Sequence, residues 1–344
     1  MTNLIKIFLI IIKKKEMLKI YLLEFLILLE SIREATGGIF NQFFIDASFI
    51  SSLPQAIFII AIIYWCFDKK LGEFLLVSMA FTRNLSSMIK SAVAIYRPWI
   101  LDPNIHPLKE AMEEATGYSF PSGHTGTATI LFGGIMVKKD KIVTSLKILL
   151  ISAIIIVGFS RLYVGVHTVW DVIFGFLFSL IVLIVMKKVF DKYEDNPNFD
   201  LIILAAGIIF SIILIAYSTF KGYPMDYDSS GKLIVEPSKM LLDAYKNVGF
   251  SIGTLISWVI ERRFIKFSTD VGLDSKFAII LGGFIGFELV MYVIAPTMKS
   301  HMTQLLGRFM TNFILSIYIV LIVPMCIKIV EKIREKRKNN GITT

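Results

Sequence analysis

The chain has 344 residues, 55% of them apolar or aromatic and only 18% charged, and its mean hydropathy is +0.70. Soluble domains average about 25% charged residues and have too little interior to hide this much apolar surface. Composition therefore excludes a soluble enzyme, a disordered chain and, with only two cysteines set far apart in apolar runs, a disulfide scaffold. The net charge of +9 reads as the Lys/Arg excess that orients membrane helices, and no nucleic-acid partner is expected.

In chain order, residues 1–16 carry a short apolar stretch followed by Lys13, Lys14 and Lys15. The stretch is too short to span a bilayer. It reads as an interfacial helix, a signal-like segment or, preferentially, an upstream extension with the native start at Met17. Residues 17–46 are amphipathic and suit the membrane surface. Nine apolar runs follow, at 49–67, 72–90, 122–137, 142–159, 170–187, 200–220, 247–260, 277–295 and 308–327. Their length and continuity predict helices; a transmembrane barrel would show alternating segments of about ten residues. The expected fold is an all-α polytopic bundle with about nine transmembrane helices. Its expected parts are an N-terminal segment (1–48), a catalytic core (49–190), additional membrane helices (191–327) and a basic cytoplasmic tail (328–344). Cys66 and Cys326 are expected to be buried thiols.

Alternate connections differ in charge. One set, with the C-terminal tail, holds eighteen Lys and Arg; the other holds ten. The positive-inside bias assigns the first set, and the C-terminus, to the cytoplasm.

The informative polar residues fall in the second set of connections, at helix ends. They are Lys90 with Arg97-Pro98, then Pro121-Ser122-Gly123-His124, then Ser160-Arg161 with His167 and Asp171. Arginine presents a fork of donors that matches phosphate oxygens, and lysine adds a point charge. Ser122-Gly123 opens a helix, where backbone N–H groups favour an anion and serine can cap. His167 and Asp171 are four apart and share a helical face, so the carboxylate can fix the imidazole tautomer and leave the other nitrogen as nucleophile or base. His124 is placed to protonate a leaving oxygen. Each feature alone has a structural explanation: a snorkelling cation, a cap, a polar contact. Together, on one predicted face of a membrane protein, they point to phosphoryl transfer.

The linked pattern K-x6-RP, PSGH and SR-x5-H-x3-D resembles the type-2 phosphatidic acid phosphatase superfamily, which also includes vanadium haloperoxidases. All three motifs are complete and in order here. The resemblance implies a helical bundle with its site near the membrane surface, opposite the cytoplasm in most members. It implies His167 as the nucleophile that forms a phosphohistidine, Asp171 as its orienting group and His124 as the acid. It implies Lys90, Arg97, Ser122, Gly123 and Arg161 as the phosphate-binding set, with no metal and no cofactor. The expected substrate is a phosphorylated lipid or isoprenoid: phosphatidate, phosphatidylglycerol phosphate or undecaprenyl diphosphate in type. A nine-span layout also resembles glucose-6-phosphatase, which leaves a soluble sugar phosphate as an alternative. A nine-helix transporter is a remote one, because its ionisable groups would sit at mid-bilayer. Loop 221–247 reads as a link or a lid. Glu288, Arg308 and Asn312 read as a buried polar contact or the lining of a path.

Overall fold

The computed structural model describes residues 23–113, 115 and 117–339. Residues 1–22 lie outside them, so the reading of 1–16 has no structural counterpart here. Every one of the nine apolar runs is helical. We label the helices α1 (23–35), α2 (Asn41–Ile50), α3 (Leu53–Ile62), α4 (Lys69–Val93), α5 (Gly123–Ala128), α6 (Thr144–Tyr163), α7 (Val169–Tyr193), α8 (Phe199–Phe220), α9 (Pro237–Ile260), α10 (Leu273–His301) and α11 (Gln304–Lys336). Among the described residues there is no strand, only one isolated bridge, Tyr227 to Leu233.

Local chemistry sets the boundaries. Asp68 caps α4 by accepting from Leu71 N at 2.9 Å, and Thr303 caps α11. Pro54 and Pro237 stand in the first turns of α3 and α9, where a missing N–H costs nothing. Five π-helical turns occur among the described residues: Ile63–Phe67 after α3, Thr129–Gly133 after α5, Glu261–Ile265 after α9, Val290–Ile294 within α10 and Tyr318–Ile322 within α11. Beyond the second of these, Gly134–Lys138 completes the rod that α5 begins.

Among the described residues five helices are long and apolar enough to cross a membrane: α6, α7, α8, α10 and α11. A sixth span is possible if α2 and α3 with its π turn, bent by 59°, act as one. The expected count of about nine is thus not matched among the described residues. The remaining apolar runs, in α4, α5 and α9, are too polar or too short to qualify. They sit inside the bundle, where protein rather than lipid surrounds them. Asn84 of α4 donates to Ser211 Oγ of α8 at 3.1 Å, and Ser251 Oγ of α9 donates to Ala80 O at 2.9 Å. Polar groups satisfied in this way can be buried at little cost. By contrast α6, α7 and α8 expose Ile148, Leu149, Ile155, Ile181, Ile202 and Ile212 on their outer faces, as helices solvated by lipid do.

The main core gathers Trp65, Phe74, Phe190, Phe250, Trp258 and Ile319 around α3, α4, α9 and α11. The Trp65 indole donates to Ile319 O at 2.8 Å. Backbones approach closely at small residues: a Cβ on Gly249 would meet Phe309 O at 2.2 Å, and one on Gly253 would meet Phe313 O at 2.8 Å. This small-xxx-small stripe lets α9 lie against α11. Cys66 is buried as expected, whereas Cys326 is exposed on α11.

The two ends of the bundle differ. At the end where α4 starts, basic groups meet acids: Lys69 with Glu261 at 2.7 Å, Lys138 with Asp191 at 3.1 Å, and Arg263 with Asp200 at 2.6 Å. Lys90, Arg97 and Arg161 cluster at the opposite end, around a cavity of about 550 Å³.

Candidate active site

The K-x6-RP spacing is the geometry of a helix stop. Lys90 lies in the last turn of α4, and its carbonyl accepts from Ala94 N at 3.1 Å. Ala94 takes the left-handed conformation at φ 51°, unfavourable for a residue with a Cβ. The chain turns back there, and Arg97 precedes the short helix Pro98–Leu101. Its guanidinium donates to Gly117 O at 3.3 Å and Val166 O at 2.9 Å.

SR-x5-H-x3-D has the same logic twice. The five residues after Arg161 form a Schellman stop: Val166 N donates to Arg161 O at 3.2 Å and Gly165 N to Leu162 O at 3.0 Å, with Gly165 at φ 78°. His167 N also donates to Arg161 O, at 3.3 Å. The next residues form a capping box that starts α7. Thr168 Oγ1 accepts from Asp171 N, and Asp171 Oδ2 accepts from Thr168 N at 2.7 Å. A stop and a start, joined at His167, fix the imidazole between Arg97 and Asp171.

PSGH opens α5. Ser122 is its cap, accepting from Thr125 N at 3.4 Å and from Thr125 Oγ1 at 2.9 Å, while Ser122 N donates to Asp171 O at 2.8 Å. A Cβ on Gly175 of α7 would stand 2.6 Å from Ser122 O, so this start is seated directly on α7. A Gly175→Ala protein should therefore lose about 1–3 kcal/mol in stability, the usual cost of overpacking. Thermal unfolding checks this; a wild-type melting temperature would contradict it.

Lys90, Arg97, Gly123, His124, Arg161 and His167 line one cavity. Arg97, Arg161 and His167 are otherwise buried, at 2–3% exposure. Ser122 and Asp171 stand behind the wall, Ser122 as a cap and Asp171 as a support. Arg97 Nη1 lies 3.0 Å from His167 Nε2. A guanidinium can only donate, so Nε2 carries the lone pair and Nδ1 carries the proton. Nδ1 faces Asp171 Oδ2 at 3.4 Å and Ser119 Oγ at 3.3 Å. Ser119 in turn donates to Asp171 Oδ2 at 2.5 Å. The reactive nitrogen thus points at the cations and the supported nitrogen at the carboxylate. Burial, then the positive charges of Arg97, Arg161, Lys90 and His124, hold the His167 pKa well below the ordinary histidine value. Burial pulls Arg97 down to about 10, with Asp171 and Asp243 opposing, so it stays charged at neutral pH.

Several residues in or beside the cavity lie outside the sequence motifs. Arg83 stands seven residues before Lys90 on the same face of α4, and its Nε donates to Asn247 Oδ1 at 3.1 Å. Ser119 lies just ahead of the PSGH run. From the last three helices come Lys239, Asp243 and Lys246 of α9, Met291 of α10 and Arg308 of α11. Arg308 thus lines the same cavity as the motif residues. Arg308 and the 221–247 stretch that holds Lys239, Asp243 and Lys246 stand out in the sequence for their charge, whereas the signal for Arg83 is its seven-residue spacing from Lys90.

Comparison with known proteins bears on this arrangement. A family model described as the PAP2 superfamily matches residues 73–195, and one described as the PAP2 superfamily phosphatase, transmembrane extension, matches residues 245–334. The chain belongs to the PAP2 superfamily. The first PAP2 match contains every motif residue, and the second covers most of α9, α10 and nearly all of α11. With its apolar outer helices, the chain is an integral-membrane member. Lipid phosphate phosphatase delta of Arabidopsis thaliana is 24% identical over 176 residues, 48% of this chain and 42% of that protein. Undecaprenyl-diphosphatase of Sulfolobus acidocaldarius is 34% identical over 117 residues, 32% of this chain and 50% of that protein. The chain thus matches half or less of the length of these relatives. No solved structure matches it.

Proposed function

We propose that the protein is a metal-independent membrane phosphatase that hydrolyses a lipid phosphate or isoprenoid diphosphate through a phosphohistidine. The observation that carries this reading is His167, with its lone pair turned toward Arg97 and its protonated nitrogen toward Asp171, on the wall of a cationic cavity at one end of a membrane bundle. In the proposed reaction Lys90, Arg97, Arg161 and the turn at Ser122-Gly123 hold the phosphoryl oxygens. Nε2 attacks in line, Asp171 steadies the imidazolium that forms, and His124 gives a proton to the departing oxygen. Water then attacks the phosphohistidine and releases inorganic phosphate. The elbow between α2 and α3 contributes Ser51 to Gln55 to the cavity wall, and α10 contributes Met291. Both helices border the bilayer in this reading, which suits a substrate arriving by lateral diffusion. Charge bias between the two ends supports a site on the non-cytoplasmic face with a cytoplasmic C-terminus.

The test is phosphate release by the purified full chain in EDTA from phosphatidate, phosphatidylglycerol phosphate, undecaprenyl diphosphate and glucose 6-phosphate. Release from at least one lipid, competitively inhibited by orthovanadate, is expected. Turnover of the sugar phosphate alone would transfer the reading to a soluble substrate, and silence on the whole panel would end it.

A further inference from the structure

The cavity holds more positive charge than one phosphate uses. Among the described residues seven Lys and Arg side chains line it, against two carboxylates, Glu113 and Asp243. A phosphate monoester brings a charge of about −1.5 to −2 near neutral pH. Lys90, Arg97 and Arg161 already answer that charge. The other cations come from outside the sequence motifs: Arg83 from α4, Lys239 and Lys246 from α9, and Arg308 from α11.

Snorkelling toward headgroups is the ordinary account of a cation at a membrane helix end. It does not fit this set. The α9 residues on the wall are Lys239, Leu242, Asp243 and Lys246, the i, i+3, i+4, i+7 positions of a single helical face turned onto the cavity. Arg83 is tethered by Asn247 of the same helix, and its Nη1 would be 3.0 Å from a Cβ on Gly123. It therefore joins the outer cations to the start of α5, where the scissile phosphate is proposed to sit. Like charges gathered from three helices repel one another unless an anion shares them. At about 550 Å³ the cavity is also within the range of sites that enclose whole ligands.

We propose that Arg83, Lys239, Lys246 and Arg308 form a second anion subsite that holds the inner phosphate of a diphosphate ester while its terminal phosphate meets His167. The inference rests on the phosphatase reading and decides between its two substrate classes in favour of diphosphate esters. In the step, Nε2 bonds to the terminal phosphorus and the bond from that phosphorus to the bridging oxygen breaks. The electron pair stays on that oxygen, which leaves as part of the lipid monophosphate and takes a proton from His124. The subsite cations hold the leaving group as its charge grows. Water then bonds to the phosphorus, gives a proton back to His124 and returns the N–P electron pair to Nε2. The products are inorganic phosphate and a lipid monophosphate.

The experiment compares farnesyl diphosphate with farnesyl monophosphate on the purified full chain, in wild type, in an Arg308→Gln/Lys239→Gln variant and in an Arg308→Lys/Lys239→Arg variant. Both side chains are exposed at the cavity mouth, and thermal unfolding checks that each protein is folded. The neutral variant should lower the ratio of kcat/KM for diphosphate over monophosphate by about 10- to 100-fold, the worth of losing charge-assisted phosphate contacts. The charge-conserving variant should restore most of it. A ratio unmoved in the neutral variant, or a ratio lowered equally in both variants, overturns the subsite while leaving the phosphatase reading intact. A wild-type chain that releases phosphate from neither farnesyl ester nor any lipid of the panel overturns both.

Discussion

A His167→Ala protein should release phosphate at least about 10⁴-fold more slowly than the intact chain, because alanine removes the atom that would accept the phosphoryl group. Oxyanion-type stabilisation by Lys90, Arg97 and Arg161 would survive, so the residual rate should remain above that of water. Rapid acid-free quenching with a ³²P-labelled substrate should trap a base-stable phosphoenzyme in wild type and none in the variant. Label retained in the variant would show that another residue carries it. The same imidazole has a distinctive titration. Burial and four neighbouring positive groups disfavour its protonated form, so in the ligand-free protein His167 should remain neutral well below pH 6.5. A bound phosphate dianion reverses part of that field and should move the titration upward. With only four histidines in the chain, NMR of selectively ¹⁵N-labelled protein can follow the ring directly. An unliganded His167 that protonates at or above pH 6.5 would contradict the arrangement.

Asp171→Asn should lower kcat by about 10²- to 10⁴-fold with little change in KM. The carboxylate has two duties, and the amide keeps only one. Asparagine can still accept from Thr168 N through its oxygen, which preserves the start of α7. One oxygen, Oδ2, meets Thr168 N, Ser119 Oγ and His167 Nδ1, so an asparagine oxygen in its place keeps those contacts but lacks the negative charge that would steady the imidazolium. Asp171→Ala should lose the cap as well, at about 1 kcal/mol of stability beyond the asparagine protein. Kinetics and thermal melts of the two variants separate these duties. Equal kcat in Asp171→Asn and wild type would remove Asp171 from the mechanism.

Helix positions were legible because runs such as IILAAGIIFSIILIAY, in α8, have no other stable form in lipid. The number of spans was less so. Hydropathy along α4 resembles that of a lipid-facing helix over 72–90, yet Asn84, Ser87 and Ser91 are buried among α8, α9 and their neighbours. Hydropathy reports what a helix avoids and not what surrounds it. Helix α9 starts ten residues ahead of its apolar run for a related reason: Lys239, Asp243 and Lys246 look like loop, but they line the inside of a cavity. In the site, the motif spacings were readable as chemistry, and the structure adds why they have those lengths: a helix stop after Arg161 and a helix start before Asp171. Arg83 and Arg308 could not be foreseen as neighbours, since more than 200 residues separate them and only tertiary packing joins α4 to α11. The π turns are equally silent, because one extra residue in a turn leaves no mark in a continuous apolar run.

Helix α4 runs the length of the bundle, with Lys69 paired at one end and Lys90 in the cavity at the other. At 1.5 Å per residue these two lysines are about 32 Å apart along the axis, close to the thickness of a bilayer's hydrocarbon core. Chemistry at the Lys90 end would therefore be vectorial. Phosphate would be discharged into one compartment only, and a lipid in the opposite leaflet would be out of reach until it was flipped across. Turnover in a sealed vesicle would then be limited by the supply of substrate to that leaflet, even if the site itself were fast.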